Sequence, residues 1–180
     1  METLTKVKSL PRLFAFSDAK LYVFSAVFTV SAVFFPWLLH QFNLAGPQFL
    51  PMHFFILIAG FLFGWRTGLV VGVLSPLMSY GITHMPSITI LPEVILELAV
   101  YGLVIGILRE KKINIWVSLI SAMFLGRLLR LLFVLSFGLK TNPLEYFQMS
   151  WPGIVLQIIL VPFIIIFLQK FIFKENEKTI

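Results

Sequence analysis

Cysteine is absent from this 180-residue chain, and charged residues are scarce. The lack of cysteine excludes disulfide bonds and thiol chemistry. Only 12% of the residues are Asp, Glu, Lys or Arg, whereas soluble domains carry about 25%. Hydrophobic residues make up 59% and the mean hydropathy is +0.97. The composition therefore predicts an integral membrane protein with no room for a separate soluble domain.

The signature motifs of several enzyme classes are also missing. There is no Walker-type phosphate loop, so the chain cannot hydrolyse ATP by that mechanism. Neither a Gly-x-Ser-x-Gly nucleophile elbow nor a His-Glu-x-x-His motif occurs. The apolar segments show no convincing inverted repeat, which argues against a self-sufficient secondary transporter. We expect a non-catalytic protein without a cofactor or a metal site.

Six apolar segments are present, and they predict an all-α fold of six transmembrane helices. A straight span needs roughly 20 residues, so the second segment, with 14 residues, is predicted to be short and tilted or recessed. Pro36, Pro76 and Pro162 fall inside spans and are predicted to kink them. The segments cover residues 21–42, 51–64, 66–83, 91–108, 113–137 and 152–173.

Lysine and arginine indicate the orientation of these spans. If the amino terminus is cytoplasmic, eleven basic residues lie on the cytoplasmic side and only Lys140 lies opposite, as the positive-inside rule requires. We predict that both termini are cytoplasmic, and that topology, not a nucleic-acid partner, explains the net charge of +6. The eleven are Lys6, Lys8, Arg12, Lys20, Arg66, Arg109, Lys111, Lys112, Lys170, Lys174 and Lys178.

Three regions follow from this topology. Residues 1–20 are predicted to form a cytoplasmic segment that is not a cleavable signal, with an interfacial amphipathic helix as one possibility. Residues 21–173 form the six-helix membrane domain, and residues 174–180 form a cytoplasmic tail.

Four charged residues lie inside predicted spans and away from their cytoplasmic ends: Glu93, Glu97, Arg127 and Arg130. A charge in the hydrocarbon core costs roughly 2.5–3.5 kcal/mol, so such a charge is expected to be paired or to line a polar cavity. The i, i+4 and i, i+3 spacings place each pair on one helix face. Counting helical rise, Glu97 and Arg127 both lie about 9 Å below the outer membrane edge.

Other polar residues share this outer layer, which predicts a solute pocket that opens to the outside. Arg127 could hold a carboxylate or phosphate, and Glu97 could accept hydrogen bonds from an N–H group. Tyr146 and Trp151, expected in outer loops, could stack on a ring. A small polar or zwitterionic metabolite fits best, and an uncharged one fits if Glu97 and Arg127 satisfy each other. The predicted pocket residues are His53, Ser79, His84, Glu93, Glu97, Arg127, Arg130 and Gln157.

Two other functions account for the same residues. In a six-span membrane scaffold, Glu97 and Arg127 would only neutralise each other and staple helices together. In an intramembrane hydrolase, the two glutamates would act with His53 and His84. A metal site formed by these histidines has no supporting ligand spacing.

Small residues supply two faces for helix association. Gly60, Gly64, Gly68 and Gly72 recur every fourth residue and serve either the packing of a helical hairpin or the docking of a membrane partner. The first span carries a second face of this kind. The predicted partner-docking residues are Ser25, Thr29, Ala32, Gly64 and Gly68.

Several of these features occur together in one known family. Leu50-Pro51-Met52-His53, the glycine series and Pro76 are followed by 96–102 (LELAVYG), Gly126-Arg127 and 151–157 (WPGIVLQ). In order and spacing this set resembles the substrate-binding (S) component of energy-coupling factor (ECF) transporters. The resemblance covers nearly all of residues 20–170.

The resemblance implies a subunit that captures a vitamin or a similar micronutrient from outside the cell. It implies two kinds of partner, a transmembrane coupling (T) protein and two cytoplasmic ATPases, and a place in the cytoplasmic membrane of a prokaryote. Members of the family dock through an Ala-x-x-x-Ala motif on the first helix, for which this chain has Ser25-x-x-x-Thr29.

Overall fold

The computed structural model describes residues 13–42, 48–138 and 143–172, without the side chains of residues 143, 144 and 169–172. The expectations for residues 1–12 and for the tail at 174–180 lie outside these ranges, as does Lys140. Within them the chain forms six helices and no strand, which confirms the predicted all-α class. The helices are α1 (Ala19–Gln41), α2 (Pro51–Phe63), α3 (Trp65–Thr83), α4 (Leu91–Glu110), α5 (Ile115–Phe137) and α6 (Pro143–Ile172).

Four of the helices are long and apolar enough to cross a membrane: α1, α4, α5 and, over Glu145–Leu168, α6. Helix α2 has 13 residues and is as short as predicted. Helix α3 has 19 residues but is less apolar, because it contains Arg66 and several glycines and serines. Pro36, Pro76 and Pro162 lie inside helices, and the kinks expected at them stay predictions.

Helix α6 begins at Pro143, nine residues before the predicted start at 152, so that boundary was wrong. The predicted span began at residue 152, where the sixth apolar segment was taken to start. In the structure Pro152 lies within the helix, and Pro143 is its first residue, a position that proline favours. Tyr146 and Trp151 therefore lie on a helix and not in a loop.

Helices α2, α3 and α4 pack closely at glycines. A Cβ atom on Gly60 would lie 2.8 Å from the carbonyl oxygen of Gly102, and one on Gly68 would overlap the backbone of Gly102. Glycine is needed here because any side chain would separate the helices. The glycine series therefore supports the prediction that it packs a helical hairpin, formed by α2 and α3. It also packs this hairpin against α4.

The residues predicted to dock a partner are all buried. Gly64 forms the turn between α2 and α3 with a φ of +93°, and a Cβ there would meet Glu110 and Leu13. On α1, which packs against α2 and α3, the small face is enclosed in the bundle. Its members are Ser25, Thr29 and Ala32. Docking through any of the five residues stays a prediction.

The ends of α1 and α3 and the starts of α2, α4 and α6 lie together at one end of the bundle, which we call the site end. The first turns of α4 contact the second half of α5 there, because Glu93 meets Arg130. Gly153 of α6 also donates its backbone N–H to the carbonyl oxygen of Gln48, before α2. Polar residues near these helix ends are thereby brought together.

Candidate solute-binding site

Arg130 bridges two carboxylates of α4. Its Nη1 lies 2.7 Å from Oε2 of Glu97, and its Nε lies 3.2 Å from Oε2 of Glu93. All three residues are buried. The bridge forms because residues at i and i+4 share one face of α4, and Arg130 reaches that face from the neighbouring α5. Glu97 and Arg127, which the scaffold alternative pairs with each other, approach only to 3.9 Å, so the shorter contact of Glu97 is with Arg130.

Glu97 is the centre of the cluster, and its exposed fraction is 0%. Beyond the Arg130 contact, its Oε1 accepts a hydrogen bond from the Tyr101 hydroxyl at 3.1 Å. His53 of α2 approaches the same oxygen with Nε2 at 3.8 Å, beyond hydrogen-bond distance. Tyr101 was missed as a site residue, although its i+4 spacing from Glu97 was a usable signal.

Arg127 is less completely paired than Arg130. Its Nη1 donates to the Ser150 hydroxyl at 3.0 Å, while Nε and Nη2 are buried and have no hydrogen-bond partner among the described residues. A buried donor without a partner costs about 1–3 kcal/mol. Ser150 was not predicted, because the predicted sixth span began beyond it. The structure thus leaves the Arg127 guanidinium with two unused donors next to the ion pairs of Arg130.

Tyr146 of α6 covers the other guanidinium. Its ring centroid lies 3.6 Å from Cζ of Arg130, a cation–π contact of the kind that stabilises desolvated arginines. An aromatic contribution from Tyr146 was predicted, but as a loop residue stacking on a solute. In this structure the ring stacks on an arginine of the protein itself.

A cavity of about 350 Å³ opens beside this cluster at the site end. His53, Ser79, Val94 and Tyr146 line it, together with the end of α1 and residues 85–87 of the α3–α4 loop. The volume is within the range of about 300–1,000 Å³ that is usual for small-molecule sites. Both ring nitrogens of His53 are buried and lack hydrogen-bond partners in the described ranges.

Two predicted pocket residues lie apart from this cluster. His84 is exposed, ends α3 with a φ of +57° and contacts the ring of Tyr80, while its neighbours Met85 and Pro86 line the cavity. Gln157 is fully buried on α6, and neither of its amide atoms has a partner among the residues described. The structure brings together the other six: His53, Ser79, Glu93, Glu97, Arg127 and Arg130.

The arrangement is suited to hold a small molecule by hydrogen bonds. Two donors of Arg127, the ring nitrogens of His53 and one oxygen of Glu93, Oε1, are buried and have no hydrogen-bond partner in the described structure. Within the same ranges, no group of three or more His, Cys, Asp or Glu side chains is placed to hold a metal ion.

A comparison with known families adds an independent finding. The family model for the substrate-specific component of ECF transporters matches residues 20–173 of the chain. This range extends from the second residue of α1 past the end of α6, and it includes every residue of the charge cluster. No curated protein and no solved structure matches the chain.

Proposed function

The chain belongs to the family of substrate-specific components of ECF transporters, and from this premise we propose that it binds a vitamin-like micronutrient for ATP-driven uptake. The solute would bind at the charge cluster of the site end, in contact with His53 and Arg127. The protein would act as a non-catalytic subunit. Its partners would be a transmembrane coupling protein and two cytoplasmic ATPases that hydrolyse ATP in its place.

The observation that carries this proposal is a set of buried polar groups without hydrogen-bond partners, on side chains that line two cavities sharing Tyr146. Structural ion pairs are normally satisfied, because a buried polar atom without a partner is costly. Arg127 Nε and Nη2 and both ring nitrogens of His53 are buried and have no hydrogen-bond partner in the described chain. A solute that supplies hydrogen-bond partners to these groups would offset that cost. In a scaffold protein nothing would offset it.

The topology proposed for this role has six spans with both termini in the cytoplasm. The excess of lysine and arginine on that side supports it, and the site end then faces the outside. A solute could enter between the end of α1 and the α3–α4 loop, since residues of both line the cavity. Short α2 would be shielded by protein, because its buried residues include His53 and the whole of 56–63.

The scaffold alternative is supported by one observation, the bridge of Arg130 to Glu93 and Glu97. This bridge ties α4 to α5 and needs no solute. We assign it to the support of the site, and we assign solute binding to the less satisfied Arg127.

The first experiment is to purify the protein in detergent and to identify by mass spectrometry any small molecule that comes with it. The identified compound is then added back to stripped protein in a thermal-shift assay. At 100 times its dissociation constant, a ligand adds about 2.7 kcal/mol to the free energy of unfolding. We expect stabilisation that saturates with concentration.

A negative result would be informative as well. If nothing co-purifies and no compound of a broad vitamin panel stabilises the protein, the scaffold function would be favoured. Reconstitution with the coupling protein and ATPases should give uptake that requires ATP, and uptake without ATP would contradict the proposed partnership.

A further inference from the structure

A second cavity, of about 390 Å³, lies between α5 and α6. Its walls are mostly apolar residues of α5 with Phe147 of α6, and Arg127 and Arg130 complete the lining. The first cavity, which we call the His53 cavity, is lined by residues of α1 to α4 and of the α3–α4 loop. Among the described residues, Tyr146 alone lines both cavities. It therefore lies between them.

The function proposed above requires a solute to pass this residue. His53 lines only the first cavity, and Arg127 lines only the second. A solute in contact with both side chains must therefore extend through both cavities. If it enters between the end of α1 and the α3–α4 loop, it meets the His53 cavity first and reaches Arg127 only beyond Tyr146.

The ring of Tyr146 is better suited to move than the arginine against which it stacks. Arg130 is held by Glu97 at 2.7 Å and by Glu93 at 3.2 Å, whereas the ring centroid lies 3.6 Å from Cζ of Arg130. A cation–π contact is weaker than a buried ion pair, so the ring can leave while the bridge stays intact. The cavities on both sides also give the ring space for another rotamer, which a close-packed core does not.

The helix that carries Tyr146 is anchored next to it. Ser150, one turn further along α6, accepts a hydrogen bond from Arg127 at 3.0 Å, and the backbone N–H of Gly153 donates to the carbonyl oxygen of Gln48 at 2.8 Å. Residues at i and i+4 share a helix face, so Tyr146 and Ser150 both face α5. Rotation of one side chain can thus open the path without a displacement of α6.

We infer that the ring of Tyr146 is a gate between the two cavities. Stacked on Arg130, the ring closes the path from His53 to Arg127, and rotated away from Arg130 it opens that path to the solute. Tyr146 thereby controls the rate at which the solute reaches Arg127. The inference rests on the solute-binding function proposed above and adds to it the step by which the solute enters.

Thiol labelling tests the gate without a solute, because the chain contains no cysteine. Leu131→Cys places a single thiol in the α5–α6 cavity. The protein is reconstituted in vesicles, and the membrane-impermeant reagent 2-sulfonatoethyl methanethiosulfonate is added outside. We expect labelling to be about tenfold faster or more when Tyr146→Ala is combined with Leu131→Cys, because a thiol reacts only where it is accessible. Equal rates with and without the ring would overturn the inference.

Three further variants make this result specific. Tyr146→Phe keeps the ring and should leave labelling slow. Phe147→Ala removes the neighbouring ring, which lines only the α5–α6 cavity, and acceleration equal to that of Tyr146→Ala would contradict the gate. If Tyr146→Ala does not elute as a folded, monodisperse protein, Tyr146→Leu takes its place and should also accelerate labelling. Ser87→Cys, exposed and lining the His53 cavity, should react with either side chain at 146, and a lack of reaction there would overturn the entry path.

Association kinetics connect the gate to the proposed function. Thiamin, riboflavin, biotin, pantothenate, niacin and folate are each mixed with wild-type and Tyr146→Ala protein in a stopped-flow instrument. A vitamin that binds the wild type should associate about tenfold faster or more with the variant, because binding that requires a conformational change is slow. An unchanged association rate would overturn the inference.

The two experiments also separate the gate from the uptake function. If a vitamin binds but neither labelling nor association depends on Tyr146, the gate fails and the uptake function stands. If none of the six vitamins binds and no compound co-purifies with the protein, the uptake function fails and the gate fails with it.

Discussion

The glycine contacts of α2, α3 and α4 and the charge cluster of α4 and α5 share one helix but differ in how completely they are satisfied. At the glycines, backbones approach so closely that a Cβ on Gly68 would overlap Gly102. Around the cluster, cavities of about 350 and 390 Å³ remain, and Arg127 keeps two unused donors in the described structure. One region is closed by packing, while the other retains space and hydrogen-bonding capacity.

The difference indicates how such a chain can combine stability with binding. The glycine region needs no polar group, since close packing of small residues is a main source of helix association in membranes. The cluster region contains costly charges, three of which, Glu93, Glu97 and Arg130, are held by a bridge. We interpret the first region and the Arg130 bridge as structural, and the groups around Arg127 as functional.

The largest effect is expected from removal of the bridge. Arg130→Ala leaves Glu93 and Glu97 buried without their short ion pairs, which should lower the free energy of unfolding by about 3–5 kcal/mol. Thermal unfolding and the folded yield in size-exclusion chromatography measure this loss. Arg127→Ala is the matched control, with the same charge change one turn away, and it should be much less destabilised. Equal stability of the two variants would remove the distinction between the arginines.

A smaller loss is expected at the glycine contacts. Gly68→Ala places a methyl group on the backbone of Gly102, and overpacking of this kind costs about 1–3 kcal/mol. Gly81→Ala is the control on the same helix, because a Cβ there meets nothing within 4 Å among the described residues. Denaturant titration in detergent should show destabilisation only for the first. If Gly68→Ala is as stable as wild type, the close packing is not structural.

The smallest change is expected from Tyr101→Phe, which removes one hydrogen bond to Glu97 and keeps the ring. We expect a loss of roughly 1 kcal/mol, because Glu97 retains its short contact with Arg130. The same denaturant titration measures it. A loss as large as that of Arg130→Ala would show that Tyr101, and not the arginine, is the main support of Glu97.

Much of the fold was predictable because the helices are long apolar runs broken by polar turns. The i, i+4 spacing of Glu93 and Glu97 also predicted that both would lie on one face, as the contacts of Arg130 confirm. Arg130, and not Arg127, makes the short contacts with Glu93 and Glu97. This pairing depends on how α4 packs against α5, and the spacing of residues along one helix does not predict it. Ser150 was missed because the predicted sixth span began at residue 152, whereas α6 begins at Pro143.

The position of His84 illustrates a different limit. Counting residues from the membrane edge predicted that His84 lies in the same layer as the cluster. Such a count does not give the direction of a side chain. The residue ends α3 in the left-handed conformation and is exposed, so its neighbours Met85 and Pro86 line the cavity in its place.

The most direct test of the account is the affinity of the Arg127→Ala variant for the compound that co-purifies with wild-type protein. The account predicts that this variant remains folded, with a monodisperse elution profile, and binds that compound at least about tenfold more weakly. Wild-type affinity in the folded variant would contradict the central claim that Arg127 contacts the solute.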